Sequence, residues 1–597
     1  MNYPVVLVPP ATGLVNAWKN THVPVGLLLL ATLVRELPGV TVRIYDGPLW
    51  FPTAAAADAA AQAVLAEGTA LVGVSAWCHT LPAQLTLAEA IKAQAPQVPI
   101  VFGGPQATAV DAGLLAESPA VDLVLRGEAE QSFPLLVQRL QHQQPIDDVP
   151  GLTQRGPEGT LVRTAPPAPC LDLDALPSPA HDLAPHRPVA TVESGRGCPW
   201  ACRFCSTSAF FARKHRARSA PSLVAELHRL AQRGVRHVTF TDDIFTVDRR
   251  QVDALCDALI AQPAALAWGC STRIDCVTAP LLQRMAAAGC ESILFGVETG
   301  SARLQRAMGK RLDVSKVEPV VAQTLAAGIR PYCTFIFGFP EGTPEDLAQT
   351  LRLIRRLATQ GVHVTAQTLA VLPDTPYYHE RQSDLRWDGH TSLSRASLTP
   401  GEAARARANP ALFSSFHYLP SPAAPRETLI RLAQLTNVLR HFPSTARWGR
   451  FDAEGDPFAV LVQQSVDPRT AIRHAASIGG PMADAYWRLE TTALDQRMRP
   501  STQAAGLCWQ GCFAWVSPVG LAREGGDGPF GYLVALKGDH GLTLEPLPHL
   551  EAAALAALTP GSSPKVARTM LAEEVGVRAA RMRLATLAAQ GWLAFRS

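Results

Sequence analysis

"TVESGRGCPWACRFCSTSAF", residues 191–210, places Cys198, Cys202 and Cys205 within eight positions, behind a short β-branched run and the glycines 195 and 197. Thiolates are soft ligands that suit zinc or iron–sulfur clusters. A closed zinc site takes four ligands, so three thiols leave two readings open. Either a distant Cys or His completes a zinc site, or a cubane cluster is held at three irons with its fourth open to an outside ligand. The glycines allow a tight turn around a bulky group, and Pro199 restrains it. Packing alone explains three loop cysteines beside glycines poorly.

The trio follows the first of six strand-like runs. The others are "HVTFTDD" (237–243), "LAWGCSTRID" (266–275), "SILFGVETG" (292–300), "YCTFIFGFP" (332–340) and "VTAQTLAVLP" (364–373), with helix-length segments between them. Strands alternating with helices predict a parallel sheet. Six such units over 191–380 predict an open, partial (β/α)6 barrel with its chemistry at the strand C-termini. The cysteine loop lies at such an end.

Upstream, residues 1–141 alternate in the same way. Short runs such as "VVLVPP" (5–10), "ALVGVSAW" (70–77), "PIVFGG" (99–104) and "VDLVLRG" (121–127) are separated by helical stretches, one of them the alanine-rich 53–67. This predicts an α/β domain with a doubly wound parallel sheet, binding its ligand beyond the strand ends "PPATG", "SAWCHT" and "GGPQAT". Residues 142–190 are proline-rich without periodicity and read as a linker. Residues 381–597 are less regular and predict a mixed, mainly helical C-terminal domain ending in a winged-helix-like segment. Within it, "NPALFSSFHYLP" (409–420) reads better as core than as a pocket wall, and Cys508 and Cys512 read as ordinary buried cysteines.

The 597 residues are 47% apolar with a formal net charge of +3. That balance argues against a nucleic-acid-coating or disordered chain. The longest apolar run, "VPVGLLLLATLV" (23–34), is too short to span a bilayer, and no secretory signal is read at the start. Twelve cysteines, mostly scattered, do not make a secreted disulfide framework, so a reducing cytoplasm is the expected location.

"CPWACRFC" resembles the C-x3-C-x-φ-C signature of radical S-adenosylmethionine (SAM) enzymes, with Phe204 as the aromatic before the last cysteine. The resemblance implies a [4Fe–4S] cluster on Cys198, Cys202 and Cys205, SAM chelated at the open iron, and an external electron donor of the flavodoxin or ferredoxin type. Its strand pattern extends over 191–380. By that likeness Asp242 and Asp243 in "FTDDIF" face the SAM amino group or ribose, and Arg273 in "STRID" faces the SAM carboxylate. Glu298, Gly300 and Ser301 in "GVETGS" face the ribose and carboxylate region.

The first domain resembles the cobalamin-binding domains fused to such enzymes, through "GVSAW" with Ser75, "FGGPQAT" with Gly103 and Gly104, and "VLRGEAEQSF" with Gly127 and Glu128. "PPATGLVNAW" lacks the D-x-H-x-x-G of the better-known cobalamin pattern, so the likeness implies base-off cobalamin with no histidine on cobalt. His22 and His79 are possible neighbours of the cofactor, although a lone histidine is more often structural. The expected organisation is a cobalamin-binding domain (1–141), a linker (142–190), a radical SAM domain (191–380) and a substrate-binding or capping domain (381–597). The implied activity is methyl transfer from SAM, via methylcobalamin, to a carbon of a natural-product or peptide substrate. A non-methylating rearrangement or cyclisation, or non-radical methyl transfer, is the alternative. No nucleic acid or membrane partner is expected.

Overall fold

The computed structural model describes residues 2–10, 23–185, 187–393 and 398–439, residue 458, and the backbone of three strands farther on. The chain forms two units, Met1–Leu353 with Thr365–Ala433, and Ile354–Val364 with Gln434–Ser597.

The first unit opens with a seven-stranded sheet of order β2-β1-β3-β4-β5-β6-β7. The strands are β1 (Tyr3–Val8), β2 (Val40–Ile44), β3 (Leu71–Ser75), β4 (Ile100–Gly103), β5 (Leu123–Leu125), β6 (Leu152–Arg155) and β7 (Leu161–Arg163). Strands β1 to β5 pair in parallel. They are short β-branched runs because both faces are covered, which removes any need for alternation. Ala57, Ala61, Leu85, Ile91 and Phe102 fill one face, and Leu28, Val101, Phe133 and Leu136 the other. The order turns back at β1, between β2 and β3, and such sheets bind ligands at the crevice this creates.

Two expectations meet the structure here. The proline-rich 142–190 is only partly a connector, because β6 and β7 form an antiparallel hairpin that extends the first sheet. It left no periodic signal because it is short, turns through "GPEG", and exposes all of β7. The stretch 409–420 is core, as read: Leu412, Phe413 and Phe416 pack into the first sheet's hydrophobic cluster, and Gln106 Nε2 donates to the Leu412 carbonyl at 2.9 Å.

The second sheet follows. Its strands are β8 (Val189–Val192), β11 (His237–Phe240), β12 (Ala267–Thr272), β13 (Cys290–Glu298), β14 (Arg330–Phe337) and β15 (His363–Thr368), in the order β15-β14-β13-β12-β11-β8. From β8 through β14 every pairing is parallel, and the sheet is open, with β8 and β15 at its edges. Between β8 and β11 the short strands β9 (Gly195–Arg196) and β10 (Arg216–Ala217) pair antiparallel and bracket the cysteine loop. Hydroxyl caps start the intervening helices, with Ser219 accepting from the Ser222 amide and Thr278 from that of Leu281. Each such cap is worth about 1 kcal/mol.

Among the described residues no helix is long and apolar enough to cross a membrane. In the second unit the strands Phe513–Trp515, Gly531–Lys537 and Gly541–Leu547 form an antiparallel sheet. The winged-helix-like end, Cys508 and Cys512 lie outside the described residues, as does His22.

Candidate functional site

At the carboxyl ends of the first sheet, Gly103 closes β4 and Gly104 follows at φ +91°. A Cβ on Gly104 would lie 3.1 Å from the Ala76 carbonyl oxygen and 3.3 Å from Ser75 Oγ, so only glycine keeps this edge flat. Gly127, at φ +75°, gives its amide to Thr108 Oγ1 at 2.9 Å. Gln84 Nε2 fixes the Ser75 carbonyl at 2.7 Å, while the Ser75 hydroxyl has no protein partner among the described residues.

These groups line a cavity of about 940 Å³, counting the space open to solvent. Ser75, Gly103, Gly104, Gly127 and Glu128 all border it, and Trp77 and Phe133 add apolar wall. Part of its wall comes from beyond the first sheet: Glu193, Arg196, Phe210 and Phe211. A predominantly apolar cleft of this size with a few convergent polar groups suits a large organic ligand. His79 is not among these wall residues; its ring packs at a tilt of 58° against Trp77, centroids 5.9 Å apart, and burial lowers its pKa to about 4.

Where the two walls meet, charge fastens them. Arg216 on β10 grips both carboxylate oxygens of Glu128, one at 2.9 Å, and the Cys170 amide donates to Glu128 at 3.0 Å. Arg196 on β9 pairs with Glu130 at 2.6 Å and Glu193 at 2.5 Å. Burial works to raise the Glu128 pKa, but the Arg216 hydrogen bonds and the Arg196 charge outweigh it and hold the carboxyl below its ordinary range. At Glu193 burial prevails over Arg196, and its pKa is raised.

The cysteine loop rises from the same β9–β10 base. A Cβ on Gly195 would meet the Arg216 carbonyl oxygen at 2.8 Å, and Gly197, at φ +87°, sits against the Lys214 carbonyl. The Arg203 amide donates to the Met308 carbonyl at 2.9 Å, the Tyr377 amide to the Arg203 carbonyl at 3.2 Å, and Ser208 Oγ to the Trp200 carbonyl at 2.6 Å. Phe204 packs edge-on to Phe339, with centroids 5.8 Å apart. Burial pushes the Cys198 and Cys202 thiols up to about 11 and raises Cys205 as well, so iron must displace their protons on binding. Cys205 feels the charge of Asp243, and both other cysteines feel that of Cys205. Among the described residues no three His, Cys, Asp or Glu side chains close on one ion position. A cubane, whose irons each take a separate thiolate, suits three cysteines carried on one loop.

Around the loop the remaining candidates fall into two groups. Arg273 makes a two-point contact with Asp275, both bonds 2.8 Å. It also donates to the Lys310 carbonyl at 3.1 Å and lies 4.6 Å over the Trp200 ring. Glu298, at φ +67°, pairs with Lys310 Nζ at 2.7 Å, and the charges of Lys310 and Arg273 reach Cys202. Asp242, at the end of β11, accepts from Ser194 N and Oγ at 3.1 and 2.7 Å; burial raises its pKa to about 7. Asp243 accepts from Thr207 Oγ1 at 3.0 Å. Gly300 and Ser301 form the second group. The Gly300 amide donates to Thr350 Oγ1 at 3.0 Å. Ser301 caps the helix Ala302–Ala307 and donates to Asp346 at 2.5 Å.

The sequence reading did not single out Lys310, Glu193, Arg196, Arg216, Phe210 or Phe211. Four of them stand in or beside the quoted cysteine stretch, whose charges and aromatics were the available signal. Lys310 had none.

A model of the radical SAM superfamily matches residues 192–354, and one of the B12 binding domain matches residues 11–137. The chain is a radical SAM enzyme with a B12-binding domain. Enzymes of this superfamily use a [4Fe–4S] cluster and SAM, and the B12-binding domain adds cobalamin. The three thiols suit the cluster, and the glycine-floored cavity with its unpartnered Ser75 hydroxyl suits a bulky corrin.

An uncharacterized methyltransferase of Pyrococcus horikoshii is 28% identical over 375 residues, 61% of this chain and 80% of that protein. An anaerobic magnesium-protoporphyrin IX monomethyl ester cyclase of Rubrivivax gelatinosus is 27% identical over 275 residues, 44% of this radical SAM chain and 49% of the cyclase. Among solved structures, the radical SAM methyltransferase TsrM of Kitasatospora setae, with cobalamin and a [4Fe–4S] cluster bound, superposes with a TM-score of 0.56 at 15% identity. That match covers 84% of this chain and all of the other. It establishes likeness of fold.

Proposed function

We propose that this enzyme moves a methyl group from SAM, with cobalamin as carrier, to a carbon of a small-molecule or peptide substrate. When bound, the cluster supplies the electron that splits SAM and the cobalamin supplies the methyl carrier. One observation carries the reading: the cavity above the first sheet is completed by Glu193, Arg196, Phe210 and Phe211, which flank the cysteine loop in sequence. A carrier held there and SAM held at the cysteines would share one enclosed space, where orientation and exclusion of water do most of the work.

In this reading Ser75, Gly103, Gly104, Gly127 and Glu128 receive the cobalamin, and Cys198, Cys202 and Cys205 the cluster. Asp242, Asp243, Arg273, Glu298, Gly300 and Ser301 bound the SAM site, Phe204 wedges the loop, and the region from 381 selects the substrate. The cobalamin is read as base-off with no histidine on cobalt, a reading supported by the missing D-x-H-x-x-G pattern in "PPATGLVNAW". The stretch 11–22, where such a ligand would stand, lies outside the described residues and holds only His22, at its end. An external one-electron donor and a reducing cytoplasm complete the proposal.

The test needs no substrate. Anaerobically reconstituted enzyme, given methyl-labelled SAM and reduced cobalamin, should release S-adenosylhomocysteine and place the label on the corrinoid. Protein loaded with both cofactors that does neither would overturn the reading. The cyclase likeness favours a second reading, a rearrangement or cyclisation. It predicts 5′-deoxyadenosine without S-adenosylhomocysteine once substrate is present.

A further inference from the structure

The crown of the cysteine loop reaches solvent at Pro199 and Ala201, and exposed cations flank it on two sides. On one side the Lys214 carbonyl abuts Gly197, next to Cys198, and Arg213 gives its amide to the Ser208 carbonyl at 3.0 Å. On the other, a Cβ on Gly309 would lie 2.8 Å from the Ala201 carbonyl oxygen. Gly309 sits in the turn that begins at Arg306, whose carbonyl accepts its amide at 3.1 Å, and Arg311 follows, bonded to the Gln305 carbonyl at 2.9 Å.

Arg213, Lys214, Arg306 and Arg311 are all exposed, and none has an ion-pair partner among the described residues. The nearby acids Glu341 and Glu380 are neutralised by Arg203, and Asp346 by Arg303. The exposed carboxylates Asp243, which acts on Cys198 and Cys205, and Asp313, two residues from Arg311, offset part of this charge, and the four cations leave the rim net positive although the whole chain is only +3. Arg213 and Arg311 are also both held in the left-handed region, each at φ +56°. A residue with a Cβ is disfavoured there. Strain of this kind persists where surrounding structure and function require it.

We infer that this rim is the docking face for the electron donor, a small acidic flavoprotein of the flavodoxin class. The inference rests on the cysteines carrying the cluster. One electron leaves the donor's reduced flavin, which is oxidised by one, and enters the cluster, which is reduced by one; no bond is made or broken. Electron transfer weakens steeply with distance, and the crown is the place where solvent comes closest to the cysteines in sequence. Four unpaired cations around it raise the encounter rate of an acidic partner and orient it, an effect that salt screens.

The experiment uses full-length reconstituted protein and purified reduced flavodoxin as the probe, with cluster reduction followed by stopped-flow absorbance. Wild-type reduction should slow as salt rises. The R213E/K214E/R306E/R311E variant should be reduced by flavodoxin on the order of tenfold more slowly, yet as fast as wild type by dithionite. Oxidised flavodoxin should also bind the variant more weakly before any cluster is loaded. Should the quadruple variant misfold, R213Q/K214Q and R306Q/R311Q are compared separately, each expected to lose part of the rate. Undiminished reduction by flavodoxin in variants with full cluster content overturns the proposal. So does loss of binding to an acidic peptide with flavodoxin reduction intact. Because reduction is read without substrate or methyl transfer, this result stands apart from the outcome for the proposed activity.

Discussion

Asp242 shows how one buried carboxyl couples pH to both stability and binding. Burial raises its pKa to about 7, from about 3.9 in an unfolded chain. Between those values the folded protein keeps a proton that the unfolded chain has lost. Stability therefore declines as pH rises through that window and levels off above 7. The Asp242→Asn variant should flatten this slope, which thermal melts at pH 5 and pH 8 would show. If the ionised form accepts a hydrogen bond from SAM, as proposed, wild-type SAM affinity should climb through pH 7 to on the order of tenfold above the variant, whose affinity stays flat and equals that of wild type only below the window; calorimetry checks it. The Glu298–Lys310 pair offers a second test. Removing only Lys310 strands a buried charge at a cost of about 3 kcal/mol. Lys310→Met should thus lower the unfolding midpoint in denaturant more than Lys310→Met with Glu298→Gln, which leaves no orphan. The cysteine trio was legible because spacing alone carries it. The role of Lys310 was not, since only the turn after the helix Ala302–Ala307 brings it to Glu298. The bond from the Ser301 hydroxyl to Asp346 was not legible either, since it reaches 45 residues farther on to a helix that sequence does not align with it.

The strand ends and the loops after them set the cavity's shape. Gly104→Val should push a side chain into the Ala76 carbonyl and Ser75, in a backbone conformation that β-branched residues avoid. Cobalamin binding, followed by visible absorbance after desalting, should fall to near zero while cluster content on Cys198, Cys202 and Cys205 is kept. Equal loss of both cofactors would mean that the change unfolds the domain instead. The five parallel strands of the first sheet could be read in sequence because each is a β-branched run stopped by small residues. The β6–β7 hairpin could not. Its outer strand is exposed throughout and carries no pattern of burial, and prolines beside it suggest a connector.

Within the first unit the two sheets are joined by charge as well as by packing. Glu128 and Arg216 are 88 residues apart in sequence, each with side-chain exposure of 10%, and no local pattern announces the pair. Arg216→Met should destabilise the unit by about 3 kcal/mol and weaken cobalamin retention, because Glu128 would keep the Cys170 amide but, as a charge partner, only the more distant Arg196, 3.6 Å away. Differential scanning calorimetry and retained absorbance would read both effects; a variant with unchanged cobalamin retention would show that the pair only braces the fold. The Arg203 tethers have a different consequence. The segment proposed to hold the cluster is stitched to the Met308 turn and to Tyr377 by bonds among protein groups alone. On that reading, were oxygen to strip the metal away, these tethers would keep the mould in shape, and fresh iron and sulfide should refill it without the chain having to fold again.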